Sequence, residues 1–320
     1  MSTIRKNTID DLWQTRNGWA VASQRFQAQT QFARHAQLGM IIAGAILATA
    51  AATGLFGVDN EAISAWERAL AGLGAMCLTL VTVIQLRFLS IAQVERWPRA
   101  RSVAEAIKSE VFRFQAGAHP YEKTETDEDL KAALLALTKA VDGHIALADD
   151  LLPDVVRAPF SSGGAPGPLD RNGYLRDRVD EQIQHFYLPR SRDHARAGRR
   201  ARLAMTALSL AGAVISALMV SGMVAGAGAW VSVLTTVSLA ISTHASLQRS
   251  DFLAVAYSKQ ARRLKRLKQD WMLGGSPATW TDFVDQCEDT ISAENRAWMA
   301  EMVRELDTLG DVPIERPLRG

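Results

Sequence analysis

Near-continuous apolar runs cover Gln37–Val58, Ala69–Leu86, Leu203–Val224 and Ala229–Leu247. Each is close to the roughly 20 residues that a helix needs to cross hydrocarbon. None contains Asp, Glu, Lys or Arg, and all are rich in Ala, Gly, Ser and Thr, the residues that let membrane helices approach closely. The steps Gly39–Ala43, Gly44–Ala48 and Gly212–Ser216 have that small-residue spacing. A buried hairpin in a soluble domain would also carry apolar helices, but four such runs in two pairs are hard for the remaining chain to cover. The connectors inside the pairs, Asp59–Arg68 and Ala225–Gly228, are short enough to force antiparallel hairpins. The pattern predicts an all-α membrane protein: two helical-hairpin repeats, four transmembrane helices, with helical cytoplasmic stems.

The polar stretches predict those stems. Ile9–Ala36 places Leu12, Trp13, Trp19, Val21, Phe26 and Phe32 among polar residues, an amphipathic helix running into the first span. After the second span the pattern continues to Trp97, and beyond Pro98 a helix resumes with Val103, Ile107, Val111 and Phe114 on one face. A further helix is expected over Thr126–Leu147, capped by Thr126 or Asp127, with Leu130, Leu134, Leu135, Leu137 and Val141 as its stripe. Ala158–Gly173 is the single Pro/Gly/Ser-rich tract and the natural linker, which divides the chain into units 1–157 and 174–320. The second unit repeats the plan. A helix through Gln184, Phe186 and Tyr187 feeds the third span, Leu253, Tyr257, Leu264, Leu267 and Trp271 recur after the fourth, and the stretch from Trp280 returns as a last antiparallel helix.

Charge orients these elements. Lys plus Arg is 36 and Asp plus Glu is 34, so a net charge of +2 gives no global reason to expect nucleic-acid binding. Of the basic residues only Arg68 lies in the two hairpin connectors. Arg190, Arg192, Arg196, Arg199, Arg200 and Arg202 precede the third span, and Arg87, Arg96, Arg99 and Arg101 follow the second. The positive-inside rule then places both termini and the middle segment in the cytoplasm, with the spans in the inner (plasma) membrane. Trp66 and Trp230 suit the opposite headgroup region. Cys77 and Cys287 are far apart, without metal-ligand spacing, which argues against a zinc site or a disulfide framework. The N-terminus lacks a secretory layout.

In these residues the chain resembles the SLATT family. Trp97, Arg101, Ala104, Glu105, Lys108 and Tyr121 follow the first hairpin, while YLRDRVDEQIQHFY precedes the second and AENRAWMAEM closes it. On this resemblance the chain is a tandem of two SLATT units. It implies an effector of a prokaryotic conflict system that perturbs or permeabilises the membrane when a partner senses infection. That partner is a nucleotide-sensing protein or a second-messenger synthase, not encoded in this chain.

Candidate chemistry is sparse. At 100° per residue Ser232, Thr235, Thr236, Ser242, Thr243 and Ser246 fall on one side of the fourth span, and Thr79, Thr82 and Gln85 on one side of the second. A hydroxyl-lined path through a homo-oligomer would use these rows; alternatively each hydroxyl bonds its own helix and packs at a helix contact. With no formal charge within the spans, no proton relay, voltage sensor or charged selectivity ring is expected. The run KQARRLKRLKQ places Arg262, Arg263, Lys265, Arg266 and Lys268 close to the membrane, as topology signal or as a contact for anionic lipid or a nucleotide. Pro98 is the candidate stem hinge. His244 is expected to make only a structural hydrogen bond. No catalytic motif and no metal or cofactor signature is present. The readings left open are a membrane-permeabilising effector, a membrane anchor or scaffold for a cytoplasmic sensor or enzyme, and an integral membrane enzyme, the last the weakest.

Overall fold

The computed structural model of the chain describes residues 2–53, 61–122, 125–156, 164–221, 227–275 and 279–293. Every regular element among them is helical. They are α1 (Ser2–Ala52), α2 (Glu61–Phe88), α3 (Ile91–Val94), α4 (Arg96–Gln115), α5 (Asp127–Ala146), a 3₁₀ turn (Asp149–Leu151) and α6 (Leu152–Val156). A helical path then runs from α7 (Arg171–Tyr174) through two π-helical stretches (Leu175–Asp180 and Gln182–Tyr187) into α8 (Leu188–Val220). α9 (Gly228–Gln248) and α10 (Ser250–Met272) follow, and residues 280–293 form a last helix, α11.

The chain forms two compact units. The first comprises Met1–Gln27, Val94–Pro189 and Ala256–Gly320, the second Ala28–Gln93 and Arg190–Val255. In the first unit, the start of α1 packs with α4 and α5 around Leu12, Trp19, Ile107, Val111, Leu137 and Val141. Full burial of a large apolar side chain of this kind stabilises by about 1.5–3 kcal/mol. Thr126 caps α5: its hydroxyl accepts from Asp129 N at 3.1 Å, and Asp129 Oδ2 accepts from Thr126 N at 3.2 Å. This reciprocal pair satisfies two N–H groups that a helix start otherwise leaves open. Leu135, expected in the apolar stripe, is instead 72% exposed.

A second trio repeats this plan. Buried Tyr174, Val179, Ile183 and Tyr187 face Tyr257, Ala261 and Leu264 of α10 and Phe283, Val284, Cys287 and Ile291 of α11. Tyr174 meets Trp280 at 5.6 Å and Tyr187 O–H reaches Ile291 O, so α11 runs alongside 174–187 in the same direction. Asp180 pairs with Lys268 and Tyr187 with Tyr257, so α10 runs oppositely. α11 is therefore the expected antiparallel return on α10; the rest of its anticipated length lies outside the described residues. The helices that follow the hairpins also end alike. Gly117 (φ +62°) closes α4 with Ala118 N donating to Arg113 O, and Gly274 (φ +72°) closes α10 with Gly275 N donating to Asp270 O, a left-handed termination that glycine adopts without steric cost.

The second unit holds the apolar helices. Four helical stretches, Thr3–Ala52, Ala65–Phe88, Arg171–Val220 and Gly228–Met272, are long and apolar enough to cross a membrane, and none of the third one's most apolar window is buried. Leu86, Leu210, Val214, Val220 and Leu239 are each more than half exposed, as side chains facing hydrocarbon should be. α1 and α2 approach closely: a Cβ on Gly74 would lie 3.1 Å from Ala48 N and 3.3 Å from Gly44 O. The Gly44–Ala48 step is thus a helix contact.

Three boundaries differ from the sequence reading. α2 already begins at Glu61, shortening the first connector, because EAISAWER has no breaker. The second and fourth apolar helices do not continue into their stems. α2 ends at Phe88, before a bend at Leu89–Ser90, and α9 ends where Arg249 takes a left-handed φ of +47°. Neither break carries Gly or Pro, the signals by which a break is read.

Candidate functional site

The polar candidates of the second unit are distributed along α2 and α9. Thr79, Thr82, Gln85, Ser232, Thr235, Thr236 and Thr243 are exposed, Ser242 less so. Thr79 Oγ1 donates to Ala75 O and Thr235 Oγ1 to Val231 O, both at 2.9 Å, so these hydroxyls are satisfied within their own helices. Thr236 and Thr243 do more: with His244 they line an open cleft of about 220 Å³ against Arg34, Gln37, Leu38 and Ile41 of α1. Gln37 Nε2 also donates to Gln85 Oε1 at 2.9 Å. α1 thereby joins the polar row of α2 to that of α9. Sequence periodicity treats each row by itself and passes over Arg34 and Gln37, which sit where the apolar run begins. At the same end His244 lies 2.7 Å from Gln248 Nε2, and its ring centroid is 5.2 Å from that of His35.

The basic stem candidates divide. Arg262, Arg263, Lys265 and Arg266 are exposed on α10, and Arg262 donates to Ser258 Oγ at 3.0 Å. Lys268 is committed to Asp180, 2.6 and 2.7 Å from its two carboxylate oxygens. Pro98 occupies the third position of α4, after Glu95 as N-cap, where a missing N–H costs no helical bond.

The first unit contains a charged network that no motif announced. Arg178 and Glu288, both fully buried, form a bidentate pair at 2.9 and 2.6 Å, and Tyr174 O–H donates to the same carboxylate at 2.8 Å. Burial alone would depress the Arg178 guanidinium; the adjoining Glu288 carboxylate reverses this and holds it above its ordinary value. The Arg178 guanidinium also lies 4.8 Å from the Phe112 ring centroid. Burial, then repulsion from Arg178, pushes the Lys108 ammonium down to about 8, against the pull of Glu105. Burial would raise Glu105, but Lys108, Arg178, Arg101 and Arg16 outweigh it and its pKa is lowered. Removing one partner from a paired, desolvated cluster of this kind is costly, because it leaves a buried charge uncompensated. Among the described residues no group of three or more His, Cys, Asp or Glu is arranged to hold a metal ion.

Four apolar helices with lipid-type surfaces, joined to a helical body built twice on one plan, define a multi-pass all-α membrane protein. Residues 174–298 match the family model for the SMODS and SLOG-associating 2TM effector domain 1, and residues 18–129 match that of a protein of unknown function (DUF4231). The chain is thus similar to SLATT proteins, the match to the two-transmembrane effector domain falling in its C-terminal half. No curated protein and no solved structure matches it.

Proposed function

We propose that this membrane effector oligomerises and permeabilises the inner membrane of its cell when a cytoplasmic partner or ligand activates it, as part of a prokaryotic conflict system. The effector domain matched over 174–298 carries the reading, because it contains the α9 row of exposed hydroxyls. Four helices from one chain are too few to surround hydrated ions, so several copies contribute rows such as Thr235, Thr236 and Thr243. Both halves act as SLATT-type units on this reading, and both termini lie in the cytoplasm, as the arginines around the hairpins favour. The activating partner is a nucleotide sensor or second-messenger synthase that binds the stems and favours the open state by its differential affinity.

Substituted-cysteine labelling of activated cells with a membrane-impermeant thiol reagent tests this. Cysteines at Gly228, Thr235, Thr236 and Thr243 should react from outside, whereas those at Leu234, Val237 and Ile241, on the opposite side of α9, should not. Equal protection of both rows, with normal insertion, favours an anchor for a cytoplasmic partner instead.

A further inference from the structure

A second cleft in the membrane-embedded unit, of about 370 Å³, opens between α1 and α2 where these helices leave the apolar zone. Its walls are Phe32, Ile84 and Phe88, its floor includes Ala33 and Ala36, and Gln29, Arg87 and Gln93 supply its polar positions; among the described residues no acidic one lines it. Phe32 is 76% exposed and Phe88 54%, Phe32 standing on the side of α1 away from the stripe that Leu12, Trp19, Phe26 and Ala33 bury. Large aromatic side chains bare at the end of a membrane helix need an apolar neighbour, which the described residues do not supply. Arg87 directly follows Leu86, the last residue of the apolar run, and so sits at headgroup depth.

We propose that this cleft is a site for one anionic phospholipid of the bilayer, an acyl chain lying between Phe32, Ile84 and Phe88 and the headgroup phosphate held by Arg87. Three observations on the described residues favour this occupant over a soluble ligand or a partner helix. The cleft adjoins the lipid-facing surface, its only formal charge is a cation suited to a phosphate, and its volume lies near the lower end of the roughly 300–1,000 Å³ of small-molecule sites, enough for a headgroup and the upper part of a chain. The inference does not depend on permeabilisation; it requires only that α1 and α2 lie in a membrane.

Native mass spectrometry of the purified full-length protein, titrated in mild detergent with phosphatidylglycerol or phosphatidylcholine, tests it. Wild type should retain one phosphatidylglycerol per chain in preference to phosphatidylcholine. Arg87→Gln should weaken that retention about fivefold, the weight of one cation near an anionic surface, and Ala36→Phe, which fills the floor, should abolish it. Arg199→Gln/Arg200→Gln removes two basic residues outside the cleft and should leave it unchanged. Equal retention by Arg87→Gln and wild type, equal loss in the Arg199/Arg200 variant, or displacement by millimolar inorganic phosphate would overturn the proposal. Because Arg87→Gln leaves helix packing intact, a folding defect in Ala36→Phe would not obscure the result.

Discussion

Replacing Glu288 with alanine should be among the most damaging single changes in the first unit. The carboxylate accepts two hydrogen bonds from Arg178 and one from Tyr174, and all three residues are fully buried. Its removal leaves the Arg178 guanidinium buried without a counter-charge, a change that costs about 3–5 kcal/mol. The Tyr174 hydroxyl loses its acceptor as well, a further loss of about 1–3 kcal/mol that overlaps the first because the groups share one network. A total near 4 kcal/mol is a large part of the 5–15 kcal/mol or so by which a domain is stable. It should fall on the contact of α11 with residues 174–187. Urea unfolding in mild detergent, followed by limited proteolysis within α11, reads this loss. Arg178→Met/Glu288→Leu removes both charges and fills the space with apolar atoms, so it should recover at least half of the loss. A cost below about 1 kcal/mol for Glu288→Ala, or a double variant as unstable as the single one, would refute the reasoning.

Lys108 titrates near 8 in the fold against 10.5 ordinarily. Below the folded value both states are protonated and the fold bears the full cost; between the two values the unfolded chain binds more protons, so stability rises with pH, by up to about 3 kcal/mol. Tyr174 and Tyr121, both raised chiefly by burial, act oppositely above about pH 10. The buried Cys287 thiol, also raised chiefly by burial, opposes the rise from about pH 9 upward, so the melting temperature should rise between about pH 8 and pH 9, and Lys108→Met should flatten the rise; a fall for wild type in that window would contradict the cause assigned. In the membrane unit, Gly74→Leu should destabilise the α1–α2 hairpin by about 1–3 kcal/mol, since the added atoms meet Ala48 and Gly44 backbone that cannot swing away. Gly72→Leu, with nothing within 4 Å, should be nearly neutral; equal thermal aggregation of the two variants in detergent would count against a close glycine contact.

What the sequence made legible was what repeats locally. The stripe Val103, Ile107, Val111 and Phe114 is buried as its 3.6-residue spacing required, and the capping pattern at Thr126 settled on the first of its two candidates. Small-residue spacing located Gly44–Ala48, although its partner, Gly74, needed coordinates. Features that depend on residues distant in the chain were hidden. Arg178 and Glu288 are 110 positions apart, and each alone reads as a solvated helix charge. Gln37 and Gln85 belong to different helices, so no single helical wheel shows that they meet. The breaks at Leu89–Ser90 and Arg249 were missed because ordinary residues carry them. Phe32 and Leu135 are apolar residues of amphipathic helices, yet are exposed: at 100° per residue each stands roughly 100–160° round from the buried stripe, so its exposure is what the angle requires.

Permeabilisation itself is tested most directly by membrane potential and dye leakage in expressing cells, with and without candidate activators, for wild type and for a variant with leucine at Thr235, Thr236 and Ser242. Thr235 and Thr236 are exposed on α9, and leucine at these three positions replaces the hydroxyls with lipid-compatible groups that membrane insertion tolerates. Under an activator, wild type should show depolarisation and leakage, abolished in the leucine variant at equal membrane content. Intact potential with wild type under every activator, or undiminished leakage with the variant, would contradict it.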